Sequence, residues 1–182
     1  MNELSKNLIE LSQVVEKRNH ICLNASIVPI IELGEGFSLP LRFKARVLEP
    51  GTYKGFTFKK EDIIRNMNTI FKVNGNVANN ELNVDHKSNR KIESSINDLV
   101  GRVSAVEFND MENSLFMDCE VTDRGIAEKI YHGSLKYVSL RINPLTFDLE
   151  FGEKIAREFD FEELSIVRLP GYHNALITNV QS

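Results

Sequence analysis

Two short runs carry side chains suited to nucleophilic chemistry: Asn83-Val84-Asp85-His86 and Tyr137-Val138-Ser139-Leu140-Arg141. A serine hydroxyl is a weak nucleophile until a neighbouring imidazole takes its proton, and the distance between the two along the chain is immaterial. Each run alternates apolar and polar positions, so each predicts a strand, which holds its side chains more rigidly than a loop. On that reading Ser139 is a candidate nucleophile and His86 a candidate general base. The residue types alone decide little. The chain has four histidines, and an ordinary surface or packed role suits any of them and most serines. The weight therefore falls on the elements that would bring these two together.

A serine–histidine pair works better when a third group accepts the imidazole's other N–H and fixes its tautomer. Phe159–Val167 alternates, which predicts a strand with Phe159, Phe161, Glu163, Ser165 and Val167 on one face. Glu163 would stabilise the imidazolium formed during reaction, whereas Ser165 could only orient the ring. A solvated strand carboxylate is the plain alternative for Glu163. Asp85 is less suited, because adjacent strand residues point to opposite faces. His173 follows the Pro170-Gly171 turn, where a solvated position is the plain reading, and it stands as a further orienting candidate. His132, beside Gly133 at a helix end, suits the helix dipole, and His20 lies near the N-terminus. No His-Glu-x-x-His, paired-cysteine or calcium-loop spacing is present, so neither metal nor cofactor is expected.

The 182 residues suit one domain with a core of its own. A net charge of −4 with no basic stripe argues against a nucleic-acid partner. Cys22 and Cys119 sit within apolar runs. They read as buried thiols of a reducing compartment, with a disulfide as the alternative. No apolar run reaches membrane-spanning length and no signal-peptide pattern is visible, which predicts a soluble intracellular protein with no membrane partner.

In chain order, Leu4, Leu8, Leu11 and Val15 recur at helical spacing over residues 1–20. That narrow stripe suits packing on the domain's own core or pairing with another helix. Ile21–Leu33 is apolar but contains Pro29, which predicts a peripheral or edge strand. Leu41–Val47 is the clearest strand, with Arg42, Lys44 and Arg46 on one face. Those cations read as a solvated face, or alternatively as a site for an acidic partner. Phe56–Phe58 leads into a helix bearing Ile63, Ile64, Met67, Ile70 and Phe71 on one face, closed by Asn74-Gly75-Asn76. Lys87–Asn97 is a polar loop beside the proposed site. Val100–Phe108 and Leu115–Val121 predict a hairpin, Thr122 caps a short helix through Ile126 and Ile130, and Gly133 stops it. Asn143-Pro144 is expected to break the Ser139 strand. Together these elements predict an α+β fold with an antiparallel barrel or half-barrel core.

From Leu41 to Leu176 this order resembles the prohead (head-maturation) serine proteases of tailed bacteriophages, the Mu-type and related enzymes. The resemblance rests on the Tyr53-Lys54-Gly55-Phe56 run before a helix, the Asp85-His86 pair, and the Leu99-Val100-Gly101-Arg102-Val103 strand. It continues through the Thr122-Asp123-Arg124-Gly125 helix start, the Tyr137-Val138-Ser139 strand, and Glu163-Leu164-Ser165-Ile166-Val167 before Pro170. It implies an assemblin-like fold, as in the herpesvirus proteases, with His86 and Ser139 as base and nucleophile. Ser165 matches the place where some relatives carry an acid, so the orienting member stays open between Ser165 and Glu163. The resemblance further implies scaffold and major capsid proteins as substrates, cut within the assembling prohead in the host cytoplasm. Self-cleavage and self-association are compatible with it. It divides the chain into an N-terminal helix and extension, 1–38, and a protease-like domain, 39–182. Two other classes stay open: a catalytically silent head component that binds scaffold, and an unrelated α+β binding module.

Overall fold

The structure, a computed structural model, describes residues 21–27, 37–74, 77–84, 99–168 and 176–181. In chain order the elements are β1 (Ile21–Ile27), β2 (Leu41–Leu48), β3 (Gly51–Tyr53), β4 (Phe56–Phe58) and α1 (Lys60–Asn66), which runs into a 3-10 turn at Met67–Phe71. They continue with β5 (Val73–Asn74), β6 (Val77–Ala78), β7 (Glu81–Val84), β8 (Leu99–Asn109), β9 (Ser114–Val121) and α2 (Arg124–Tyr131). Last come β10 (Tyr137–Glu150), β11 (Glu153–Val167) and β12 (Leu176–Gln181). The main sheet has the order β10-β1-β12-β2-β9-β8-β7-β11-β4-β3, and β10 also pairs with β11, so the sheet curls back on itself. Most pairings are antiparallel; β1–β12, β11–β4 and β11–β7 are parallel. The described residues are thus an α+β fold: a curled, mostly antiparallel sheet with two flanking helices.

Alternation explains the core. On β2, Leu41, Phe43, Ala45 and Val47 are buried, and they join Met117, Cys119 and Val121 of β9, Leu140 of β10 and Leu164 of β11 in one apolar cluster. The opposite face of β2 carries its cations, each matched within the chain. Arg42 pairs with Glu120, Lys44 with Glu107 and Asp118, and Arg46 with Glu49. Gly101 lets β8 approach β9 closely, because a Cβ there would lie 1.9 Å from the backbone oxygen of Glu120.

Several elements differ from their sequence expectation. β1 is not an edge strand, since it pairs with β10 on one side and β12 on the other. Pro29, the reason for that expectation, lies outside the described residues. The same sheet therefore holds residues from both sides of position 38. The helix after β4 is shorter than its periodicity suggests. It tightens to 3-10 geometry at Met67 and gives way to β5 at Val73, leaving Ile64 and Phe71 exposed while Ile63 and Ile70 are buried. Asp123, not Thr122, caps α2 by accepting from the Ile126 N–H at 2.8 Å. Thr122 instead donates to the Val100 carbonyl at 3.3 Å. Gly133 follows α2 with φ +69°, as a helix stop requires.

Proline 144 does not end β10, which continues to Glu150. The ladder to β11 is irregular between Pro144 and Thr146, and the described pairing of β1 along the other side of β10 stops at Ile142. A bulge is where a strand tolerates a residue without an N–H. The expected single face of Phe159–Val167 is also overturned. Arg141 is opposite Glu163 and Ile142 is opposite Phe161, so Glu162 is an extra residue on β11. Such a bulge reverses the alternation. Phe159 and Phe161 lie in the core cluster, as do Leu164 and Ile166, whereas Glu163 and Ser165 belong to the opposite face.

Candidate functional site

Three neighbouring strands bring a row of polar residues together on the face turned away from the core. On β10, Val138, Leu140 and Ile142 point into the apolar cluster, which sends Ser139 and Arg141 to the other side. The register places Ser139 opposite Ser165 of β11, and Ser165 beside Asn83 of β7. Ser139 and Ser165 have no exposed surface, Asn83 is 2 % exposed and Glu163 4 %. Asn24 of β1 has its Cα in register with Ser139 on the remaining side of β10. Polar side chains are seldom buried so completely without partners.

The partners are specific. The Ser165 hydroxyl donates to Glu163 Oε1. The other carboxylate oxygen, Oε2, lies 3.2 Å from Arg141 Nη1. Arg141 and Glu163 are themselves register partners across β10 and β11, so their pairing needs no long reach. Arg141 gives Glu163 an opposite charge in a buried setting. With its hydrogen donated to Glu163, the Ser165 oxygen keeps acceptor capacity for a further donor. The arrangement is a chain of Arg141, Glu163 and Ser165 ending beside Ser139.

The sequence expectations fare unevenly here. Ser139, Ser165 and Glu163 are brought together on one face. Glu163 is not a solvated strand carboxylate, because it is buried and paired. His86 lies outside the described residues, two positions past the end of β7, as do Asp85, His173 and His20. Asn83, three residues before His86, is alongside Ser165. Arg141 had no assigned role from its sequence, although its parity with Ser139 two residues earlier was the available signal. Asn83 was hidden for the opposite reason, since its register neighbour Ser165 comes from a strand far along the chain.

Other groups are set apart from this row. A cavity of about 420 Å³ is lined by Arg42, Phe43, Lys44, Ser104, Asp118, Cys119 and Glu120, which belong to β2, β8 and β9. Its cations and anions neutralise one another. Glu120 is held below the usual carboxylate range first by its hydrogen bonds from Arg102, with Arg42 adding attraction. Cys119 is a free thiol whose pKa burial pushes well up, which makes it a poor nucleophile. Among the described residues no cluster of histidine, cysteine and carboxylate side chains could hold a metal ion, and no helix is long and apolar enough to cross a membrane. Compared with protein-family models, curated proteins and solved structures, the chain matches none.

Proposed function

We propose that this chain is a serine endopeptidase of phage head maturation, with an assemblin-like barrel, Ser139 as nucleophile and His86 as general base. The observation that carries the proposal is the buried lateral pair Ser139–Ser165, with Glu163 and Arg141 behind Ser165. In this reading His86 takes the Ser139 proton at one ring nitrogen and donates from the other to the Ser165 oxygen. Glu163 then acts through Ser165 as a positioning residue, and it stabilises the imidazolium at one remove. The substrates are scaffold and capsid proteins, cut within the assembling prohead, and the chain itself is a further substrate. No metal or cofactor takes part.

Full burial of Ser139 favours a second reading, a catalytically silent component of the head that binds scaffold. For catalysis, a substrate must first uncover the Ser139 face. Expression of the chain alone separates the two readings. The proposal expects internally cleaved species by intact mass for the native chain and none for Ser139→Ala. The same species from both proteins would overturn it.

A further inference from the structure

On the side away from β10, β11 pairs with β4 along Lys154–Ala156 and with β7 along Leu164–Ile166. Between those two stretches, no strand among the described residues borders it on that side. Backbone groups left without a ladder still need partners, and here side chains supply them. The Asn66 amide donates to the Arg157 carbonyl at 2.9 Å. Thr69 Oγ1 accepts from the Phe161 N–H at 2.9 Å, and the Asn79 amide donates to the Phe161 carbonyl at 3.0 Å. Both backbone groups of Phe161 are thus engaged immediately before the extra residue Glu162. The holders are fixed in turn. Thr69 lies in the 3-10 turn Met67–Phe71, whose Ile70 is fully buried. Asn79 is itself buried; its amide also donates to the Thr69 carbonyl at 3.3 Å, and its backbone N–H to the Lys72 carbonyl at 3.0 Å.

The place of the bulge decides what faces Ser139. Phe161 is opposite Ile142, and with Glu162 as the extra residue Glu163 falls opposite Arg141 and Ser165 opposite Ser139. The same ladder continued from Phe161 without an extra residue would set Glu162 opposite Arg141 and Leu164 opposite Ser139. A one-residue slip sends every later side chain to the other face, so Glu163 and Ser165 would turn toward the core. We propose that Thr69 and Asn79 are positioning residues for the Ser139 site. By bonding both backbone groups of Phe161 they keep the bulge at Glu162, and so hold Ser165 beside Ser139. Their effect on reactivity rests on the endopeptidase reading, whereas their effect on register does not.

Thr69→Val removes the acceptor while nearly keeping the side-chain shape, Thr69→Ser keeps the acceptor, and Asn79→Ala removes the donor. Ile130→Val trims the buried core at α2, away from the bulge, and controls for lost stability. Nuclear magnetic resonance reads the register as the cross-strand Overhauser contact between Ser139 and Ser165, and a fluorophosphonate reads the labelling rate at Ser139. The contact should be present in the native chain and in Thr69→Ser. In Thr69→Val and in Asn79→Ala it should weaken or pass to Leu164, with labelling slowed severalfold. Ile130→Val should change neither, even where its melting temperature falls as far. An intact Ser139–Ser165 contact in Thr69→Val or in Asn79→Ala would overturn the role of that residue, and equal loss in Ile130→Val would overturn both. A native chain that never labels would count against the endopeptidase reading, while the Overhauser contacts would still decide the role of Thr69 and Asn79.

Discussion

Ser139 and Ser165 are register partners on β10 and β11, both fully buried on the side of the sheet away from the apolar core. Two hydroxyls side by side do not activate each other, since neither is a base near neutral pH. What distinguishes the two serines is Glu163, which accepts a hydrogen bond from Ser165 and is itself paired with Arg141. In the proposed function, this asymmetry gives attack to Ser139 and orientation to Ser165.

That assignment predicts different consequences for substitutions at positions 163 and 165. Ser165→Ala removes a hydrogen bond and should lower turnover while destabilising the fold by about 1–3 kcal/mol. Glu163→Gln leaves Arg141 without its counter-charge, and breaking a buried pair by removing one partner costs about 3–5 kcal/mol. Turnover and thermal stability measured together check both. If Glu163 acts through the imidazole, Glu163→Gln should also move the acid limb of the pH–rate profile. An unmoved profile, with only stability lost, would assign it a structural role.

Cleavage should require His86 in its neutral form. A protonated imidazole cannot accept the serine proton, so activity should fall on the acid side of the pH profile. His86→Ala should lose activity by orders of magnitude and His173→Ala should not. The reverse outcome would move the base, or the orienting group, to position 173.

Gly101 offers a test of the sheet itself. A Cβ there would collide with the Glu120 carbonyl at 1.9 Å, and the obstacle is backbone, which cannot swing aside. Gly101→Ala should destabilise by at least about 1–3 kcal/mol, the usual range for overpacking. A denaturation midpoint equal to that of the native chain would show that β8 and β9 lie farther apart.

Glu120 links stability to pH. Each of its oxygens is held by an arginine, Oε2 by Arg102 at 2.8 Å and Oε1 by Arg42 at 3.2 Å. Its folded pKa is depressed below the unfolded value. The stabilisation it contributes is therefore present above the unfolded carboxylate pKa and is lost as pH falls through the depressed one. Replacing Arg102 with Ala should therefore lower stability at neutral pH and flatten its fall on the acid side, with little change at the most acidic pH, a comparison made by thermal melts across that range.

The alternating segments were legible where one face is apolar and the other charged. β2 and the β8–β9 hairpin emerge close to their expected limits for that reason. Ser139 and Ser165 could be nominated from their strands, and their neighbouring strands do bring them together. The bulge at Glu162 was not legible, because it depends on the register against β10, and no local pattern marks it. It is also what separates Glu163 from Phe161 and turns the carboxylate toward Arg141. Continuation of β10 past Pro144 was hidden likewise, since a proline reads as a breaker until the irregular register around it is known.

The most direct test of the nucleophile is covalent labelling of the native chain with a fluorophosphonate, followed by mapping of the modified residue by peptide mass spectrometry. One adduct is expected, on Ser139, that disappears in Ser139→Ala, is greatly slowed in His86→Ala, and persists at reduced rate in Ser165→Ala. A native chain that stays unlabelled at Ser139, or that carries its adduct on another serine, would contradict it.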